Sequence, residues 1–140
     1  MSRAAAADAM ATDPLRIGIL GAARIAPMAL IRPARQVPAA HIVAVAARDP
    51  QRAAAFARKH AIAAALPSYE ALIGDPQIDA VYNPLPNSLH CEWSIRALRA
   101  GKHVLCEKPI ASNAAEAERM AAAARNSGRV LMEEIGRAHV

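Results

Sequence analysis

Short apolar runs alternate with helix-like patterns along almost the whole chain. The apolar runs are rich in β-branched residues and end at glycine, proline, asparagine or charged positions, which is typical of buried strands. They predict strands at Leu15 to Leu20, His41 to Ala47, Ala61 to Leu66, Asp79 to Asn83, Lys102 to Cys106 and Arg129 to Met132, of which the third is the weakest.

Helices are predicted between these strands from the spacing of apolar residues and from capping residues. They are Ile25 to Ala34, which Pro33 kinks or ends; Pro50 to His60, capped by Asp49; Ser68 to Ile73, capped by Ser68; a helix capped by Asn87 or Ser88 that runs to Ala100; and Ser112 to Ser127, capped by Ser112. Strands separated by such helices predict an α/β fold with a doubly wound parallel sheet. A ligand of this fold binds at the carboxyl ends of the strands.

Composition excludes several classes of partner. The net charge of +5 comes mostly from arginines spread along helices, and aromatic residues make up only 3% of the chain, so we expect no nucleic-acid partner. Cys91 and Cys106 lack metal-ligand spacing, so we expect free thiols, no metal and a reducing, cytoplasmic location. No run approaches the roughly 18 apolar residues of a membrane span, so we expect no membrane partner.

The segment Gly21-x-Ala23-x-x-Ala26 follows the first strand and is a degraded form of the dinucleotide-binding fingerprint G-x-G-x-x-G/A. Gly21 allows a tight turn, and Ala23 stands where a second glycine lets the backbone approach a pyrophosphate. The helix N-terminus, with Arg24 and Ile25, offers N–H groups to phosphate. The alternative is a purely structural turn.

The end of the second strand bears on the choice between the two nicotinamide cofactors. An NAD enzyme usually carries an acidic residue there, whereas this chain has Arg48, whose guanidinium suits a 2′-phosphate. We therefore favour NADP over NAD. Asp49 could instead bind ribose, although its place before Pro50 suits a helix cap better, and Arg48 could be an ordinary surface charge.

Two further segments carry candidate site residues. Pro84, Asn87 and His90 follow the fourth strand and are predicted to form a wall of the nicotinamide site, the alternative being a stiff loop with a surface histidine. Lys108 follows the fifth strand and is the predicted catalytic residue, because hydride transfer at a carbinol carbon requires a proton to move on the oxygen. Glu107 would orient Lys108 or hold the loop, and an ordinary surface lysine is the alternative.

These residues together resemble the Gfo/Idh/MocA oxidoreductases, the family of glucose–fructose oxidoreductase, inositol dehydrogenase and the rhizopine-catabolism oxidoreductases. The resemblance runs from about Arg16 to Glu133. Its most specific part is Ala100-Gly101-Lys102-His103-Val104-Leu105-Cys106-Glu107-Lys108-Pro109, which is similar to the family signature A-G-K-x-V-x-x-E-K-P. The turn Gly21-Ala22-Ala23 is similar to that of members grouped with dimeric dihydrodiol dehydrogenases.

The resemblance implies a Rossmann domain that is followed in the family by a C-terminal α/β substrate domain, which is absent from this chain. It implies NADP or NAD as cofactor, sugar, cyclitol or diol substrates, Lys108 as the catalytic lysine and a homo-oligomeric intact protein. The family's catalytic histidine and aspartate lie in the substrate domain, so the chain alone is expected to be inactive. The alternatives are a stand-alone, non-catalytic NAD(P)-binding or sensor module and a remnant that binds nothing.

The predicted domain organisation has three parts. Residues 1–13 are expected to be a disordered tail, and residues 14–134 form the Rossmann domain. Residues 135–140 match the translation of a widely used short-read sequencing adapter. We expect the native sequence to depart from the given one near Glu133 or Glu134, unless the match is a coincidence, and sequencing the source locus would decide.

Overall fold

A six-stranded parallel sheet forms the centre of residues 13–135, the part of the chain that the computed structural model describes. The strands are β1 (Leu15–Leu20), β2 (Ala40–Ala46), β3 (Ala64–Leu66), β4 (Ala80–Asn83), β5 (His103–Glu107) and β6 (Leu131–Glu134), in the order β3-β2-β1-β4-β5-β6. The predicted doubly wound fold is therefore confirmed. The predicted tail and the predicted adapter segment lie outside the described residues, apart from Asp13 and Ile135.

Five helices connect the strands in this part of the chain. The first, α1, begins as a π-helical turn (Pro27–Ile31) and continues as an α-helix (Arg32–Ala34), ending one residue after Pro33. The others are α2 (Pro50–His60), α3 (Tyr69–Ile73), α4 (His90–Arg99), which follows a 3₁₀ turn (Asn87–Leu89), and α5 (Ala114–Ser127).

Two predicted helix caps are wrong. Asn113, not Ser112, caps α5: its Oδ1 accepts a hydrogen bond from the Glu116 N–H at 2.9 Å. Neither Asn87 nor Ser88 caps α4, because the chain passes from Pro86 into the 3₁₀ turn and enters the helix without a side-chain cap. The predicted caps Asp49 and Ser68 are confirmed, and they accept from the N–H groups of Gln51 and Ala71.

Side chains alternate between the two faces of the sheet, so each strand contributes to two apolar layers. In β1, Ile17 and Ile19 join the layer that packs against α1 and α2. Leu20 joins the layer beneath α3, α4 and α5. Gly18 lies under α3, where a Cβ atom would come within 2.8 Å of the Leu72 side chain. This close packing fixes the position of β1, from whose end the site begins.

One part of the sheet has no helix over it among the described residues. It lies on the α1 side of β4, β5 and β6 and forms a shallow apolar depression of about 360 Å³. Leu15, Leu30, Leu105 and Met132 are among the residues that line it, and Met132 is 59% exposed.

Candidate functional site

The strand order reverses direction between β1 and β4, and a crevice of about 420 Å³ lies at the carboxyl ends of the strands there. Crevices at such reversal points are the usual ligand sites of open parallel sheets. The turn after β1, the end of β2 and the loop after β4 form its walls, with Gly21, Ala23, Arg48, Arg52, Pro84 and Leu85 among the lining residues. Four residues that were predicted to bind a cofactor are thus brought together: Gly21, Ala23, Arg48 and Pro84.

Gly21 makes the turn that opens the crevice. Its φ of +87° favours glycine, and its N–H donates to the Ala46 carbonyl oxygen at 2.6 Å. A Cβ atom at this position would come within 3.0 Å of Leu85 Cδ2. The following N–H groups, at residues 22–25, have no partner within the described region, so the turn presents free donors. Such donors beside a helix N-terminus fit a pyrophosphate.

Two arginines lie on the β2 side of the crevice. Arg48 lines it as predicted, and Asp49 is used as the cap of α2 through its Oδ1. Arg52, which was not predicted, lies in the first turn of α2 and donates from an Nη atom to the Ala22 carbonyl oxygen at 3.3 Å. The available signal was its place in the first turn of a helix predicted to begin at the end of β2, beside the strand end where Arg48 was expected to bind.

The loop after β4 is fixed by the buried Asn83. Its Nδ2 donates to Ser94 Oγ at 3.0 Å, and its Oδ1 accepts from the Leu85 N–H at 3.2 Å. Pro84 and Leu85 are thereby held against the crevice. Asn87 is exposed and is not among the residues that line the crevice, whereas its neighbour Ser88 is.

His90 lies behind the crevice wall and is only 1% exposed. Its Nε2 lies 2.6 Å from the Leu85 carbonyl oxygen and its Nδ1 lies 2.8 Å from the Pro109 carbonyl oxygen. Both ring nitrogens are therefore occupied by backbone. His90 was predicted to form part of a wall of the nicotinamide site, and it is not among the residues that line the crevice. The alternative of a surface histidine is wrong, because the α4 register turns the imidazole inward.

Glu107 and Lys108 lie one strand further along the same edge, at the end of β5. Tyr82 Oη donates to Glu107 Oε1 at 2.6 Å, and burial, followed by this carboxylate, raises the pKa of Tyr82, so the phenol keeps its proton. Lys108 is exposed, and the Lys108–Pro109 peptide is cis. Neither residue lines the crevice, but β5 pairs directly with β4, with Cys106 opposite Asn83.

Arg24 and Ile25 are exposed and do not line the crevice. Arg24 instead lines a neighbouring depression of about 480 Å³ between α1 and α2, together with Arg32 and Lys59. Of the predicted binding residues in this turn, Gly21 and Ala23 therefore face the crevice, whereas the Arg24 side chain faces outward.

The two cysteines are buried and unpaired, and burial raises the pKa of Cys91 and raises that of Cys106 to about 11. Among residues 13–135, no three histidine, cysteine, aspartate or glutamate side chains come together as a metal site. Nor does this region contain a helix with the length and apolarity that crossing a membrane requires.

A family model described as an oxidoreductase family with an NAD-binding Rossmann fold, Gfo/Idh/MocA, matches residues 15–135. The chain belongs to this family. Among curated Gfo/Idh/MocA relatives, an uncharacterized oxidoreductase from Rhizobium meliloti is 44% identical over 88% of this chain and 37% of its own length. Trans-1,2-dihydrobenzene-1,2-diol dehydrogenase from Sus scrofa is 50% identical over 67% of this chain and 28% of its own length.

A solved Gfo/Idh/MocA structure shows the same architecture. It is a 3-ketoreductase from Actinomadura kijaniata in complex with NADP and TDP-benzene, with a TM-score of 0.82 and 42% identity. The match covers 86% of this chain and 37% of the reductase chain. The chain therefore spans a little over a third of the length of the relatives that it matches most fully.

Proposed function

We propose that this domain binds NADP(H) at the crevice between β1 and β4 and forms the nucleotide-binding half of an oxidoreductase. The main observation behind this proposal is that the free N–H groups after Gly21 lie at the same crevice as Arg48 and Arg52. The domain would serve hydride transfer to or from a sugar, cyclitol or diol substrate. Relatives that are named as sugar-nucleotide reductases and as a diol dehydrogenase support this class of substrate.

Each wall of the crevice has a role in this proposal. The N–H groups after Gly21 hold the pyrophosphate, because they are free and lie before a helix N-terminus. Arg48, assisted by Arg52, binds the 2′-phosphate that distinguishes NADP from NAD. Asp49 is engaged as a helix cap, which favours a phosphate on Arg48 over ribose hydroxyls on Asp49.

Lys108 is the proposed catalytic residue. When bound, the nicotinamide supplies or accepts the hydride. Lys108 Nζ exchanges a proton with the substrate oxygen, for which its exposed position at the end of β5 is suitable. Glu107, held by Tyr82, fixes the backbone on the amino side of Lys108.

Cofactor choice tests the crevice. In fluorescence titrations, we expect the unchanged protein to bind NADPH more tightly than NADH. We expect Arg48→Ala to lower the affinity for NADPH about tenfold or more, with little change in the affinity for NADH. Arg52→Ala should show a smaller loss of the same kind. Arg58→Ala is the matched control, since Arg58 is also exposed on α2 but does not line the crevice. Equal affinities of the unchanged protein for the two nucleotides would contradict NADP selectivity.

Turnover measurements test the catalytic role of Lys108. They have to be made on the whole protein, because the chain spans about 37% of the length of the relative from Rhizobium meliloti. We expect Lys108→Ala to lower kcat by ~10²–10⁴ with little change in NADPH affinity. Lys59→Ala, which removes an exposed lysine of α2, should leave kcat unchanged. Tight NADPH binding by a protein that turns over no sugar or diol would instead identify a non-catalytic nucleotide-binding module.

We also propose a cytoplasmic location and a homo-oligomeric intact protein. The two buried free thiols are compatible with a reducing compartment. Light scattering of the whole protein would test the oligomeric state, and a monomer at micromolar concentration would contradict it.

A further inference from the structure

Lys108 makes no contact of its own that would fix it, yet the residues on both sides of it are held by buried side chains. On the amino side, Tyr82 Oη donates to the Glu107 carboxylate at 2.6 Å. On the carboxyl side, the Pro109 carbonyl oxygen lies 2.8 Å from His90 Nδ1. The position of the lysine backbone is thus set by groups from β4 and α4, and not by the loop alone.

His90 differs from Tyr82 because it reaches two loops at once. Its other nitrogen, Nε2, lies 2.6 Å from the carbonyl oxygen of Leu85, a residue that lines the crevice. A carbonyl oxygen only accepts hydrogen bonds, so a neutral imidazole donates to one loop and a protonated one donates to both. The imidazole itself is shielded from solvent, since His90 is only 1% exposed.

The Leu85 end of this connection is itself fixed. The Leu85 N–H donates to Asn83 Oδ1 at 3.2 Å, and Leu85 Cδ2 occupies the space beside Gly21. A chain of contacts therefore runs from the turn after β1 through Leu85 and His90 to Pro109, the residue that follows Lys108.

We propose that His90 is a positioning residue, which sets the placement of Lys108 relative to the nucleotide crevice by joining the Leu85 and Pro109 carbonyls. This inference rests on the proposed function, in which NADP occupies the crevice and Lys108 acts beside it. A histidine that only stabilised the fold would alter unfolding but leave the response of Lys108 to bound nucleotide unchanged.

The chain contains only three lysines, Lys59, Lys102 and Lys108, so Lys108 can be observed directly by NMR. Lysine labelled with ¹³C at Cε gives one signal for each, assigned with Lys→Arg variants. We expect saturating NADP⁺ to shift the Lys108 signal of the 140-residue chain. His90→Phe keeps an aromatic ring but removes both ring nitrogens, and we expect this variant to bind NADP⁺ while its Lys108 shift is at least halved.

His103→Phe is the matched control. The His103 imidazole also contacts backbone, since its Nδ1 accepts from the Val130 N–H at 3.0 Å, but it lies at the opposite end of β5. Its Lys108 shift should equal that of the unchanged chain. His90→Gln keeps a side-chain donor for one of the two carbonyls and should give an intermediate Lys108 shift. If circular dichroism shows that His90→Phe does not fold, His90→Gln is the variant that tests the positioning role.

The two proposals fail in different ways. If the unchanged chain does not bind NADP⁺, the proposed function is wrong. If it binds NADP⁺ without any shift at Lys108, the proposed place of Lys108 beside the nucleotide is wrong, and the positioning role falls with it. If that shift occurs but persists in full in folded His90→Phe or His90→Gln, the positioning role alone is overturned.

Discussion

The signature segment from Ala100 to Pro109 contains two lysines with opposite surroundings. Lys102 is 7% exposed, and its Nζ donates to the carbonyl oxygens of Asp75 and Ile78, each at 2.6 Å. Burial lowers the pKa of Lys102. Lys108, six residues later, is exposed. Lys102 therefore stabilises the connection into β4, whereas Lys108 remains available for chemistry, a distinction that residue type alone does not make.

Gly21 is the residue on which the shape of the crevice depends most directly. We expect Gly21→Ala to lower the free energy of unfolding by about 2–3 kcal/mol, because alanine is strained at positive φ and its Cβ would press on Leu85. NADPH affinity should fall as well, since the turn must shift. Denaturant unfolding and nucleotide titration measure the two effects.

Gly101→Ala separates backbone strain from contact with Leu85. Gly101 has nearly the same φ, +88°, but a Cβ atom there would meet no atom within 4 Å. Gly101→Ala should therefore lower the free energy of unfolding by only about 1–2 kcal/mol and leave NADPH affinity unchanged. Equal losses of stability and affinity in the two variants would mean that the approach of Leu85 to Gly21 has no role.

At the scale of elements, Asp79 connects three strands at their amino ends. Its carboxylate accepts from the Arg16 N–H at 2.9 Å and from the Arg16 guanidinium at 3.0 Å. Its backbone carbonyl accepts from the His103 N–H at 3.1 Å. Strands β1, β4 and β5 are thus held in register at the end opposite the crevice.

This connection should make stability depend on pH in the acid range. The hydrogen bonds from Arg16 lower the pKa of Asp79 below its ordinary value of 3.8. A lowered folded-state pKa stabilises the fold above the unfolded-state value, and that stabilisation is lost as pH falls through the folded-state value. We expect Asp79→Asn to have a lower free energy of unfolding than the unchanged chain, by the same amount at pH 7 and pH 5. This difference in the free energy of unfolding, called the gap below, should narrow below pH 3.8.

Denaturant unfolding at these pH values measures the gap, and Arg16→Met provides the control. Removal of the guanidinium removes the main cause of the lowered pKa, so in an Arg16→Met background the gap should vary much less with pH. A gap that persisted unchanged to pH 2 in the presence of Arg16 would contradict the assignment.

The sequence predicted the elements well where the pattern was local and poorly where two local signals competed. All six strands were predicted, although β6 begins two residues later than expected and β3 is confined to Ala64–Leu66. For α5, both Ser112 and Asn113 are capping residues. Glu116 decides between them, because it lies three residues after Asn113, which is the spacing of a capping box.

At the scale of the whole molecule, the sequence predicted where the candidate site lies but not which side chains contact one another there. The strand ends at Gly21, Arg48, Pro84 and Lys108 were expected to meet at one edge because parallel strands share that edge. Arg52, Tyr82 and the inward orientation of His90 were not predicted. Their roles depend on which face of a helix or strand packs inward, which the tertiary structure determines.

The apolar depression over β4, β5 and β6 also belongs to this scale. Met132 and Val130 are more than half exposed there, and no helix among residues 13–135 covers them. Large exposed apolar areas usually mark contact surfaces.

Leu85 has a main chain that is held by hydrogen bonds and a side chain that is packed both in the core and against the crevice. Its N–H and carbonyl are both held, by Asn83 and His90, while its Cδ2 atom borders Gly21 across the crevice. The location of the wall and the width of the opening are therefore controlled by different parts of one residue. Shortening this side chain to alanine would therefore widen the opening beside Gly21 and at the same time leave a cavity in the core cluster to which Leu85 belongs, at a cost of about 2–5 kcal/mol in the free energy of unfolding.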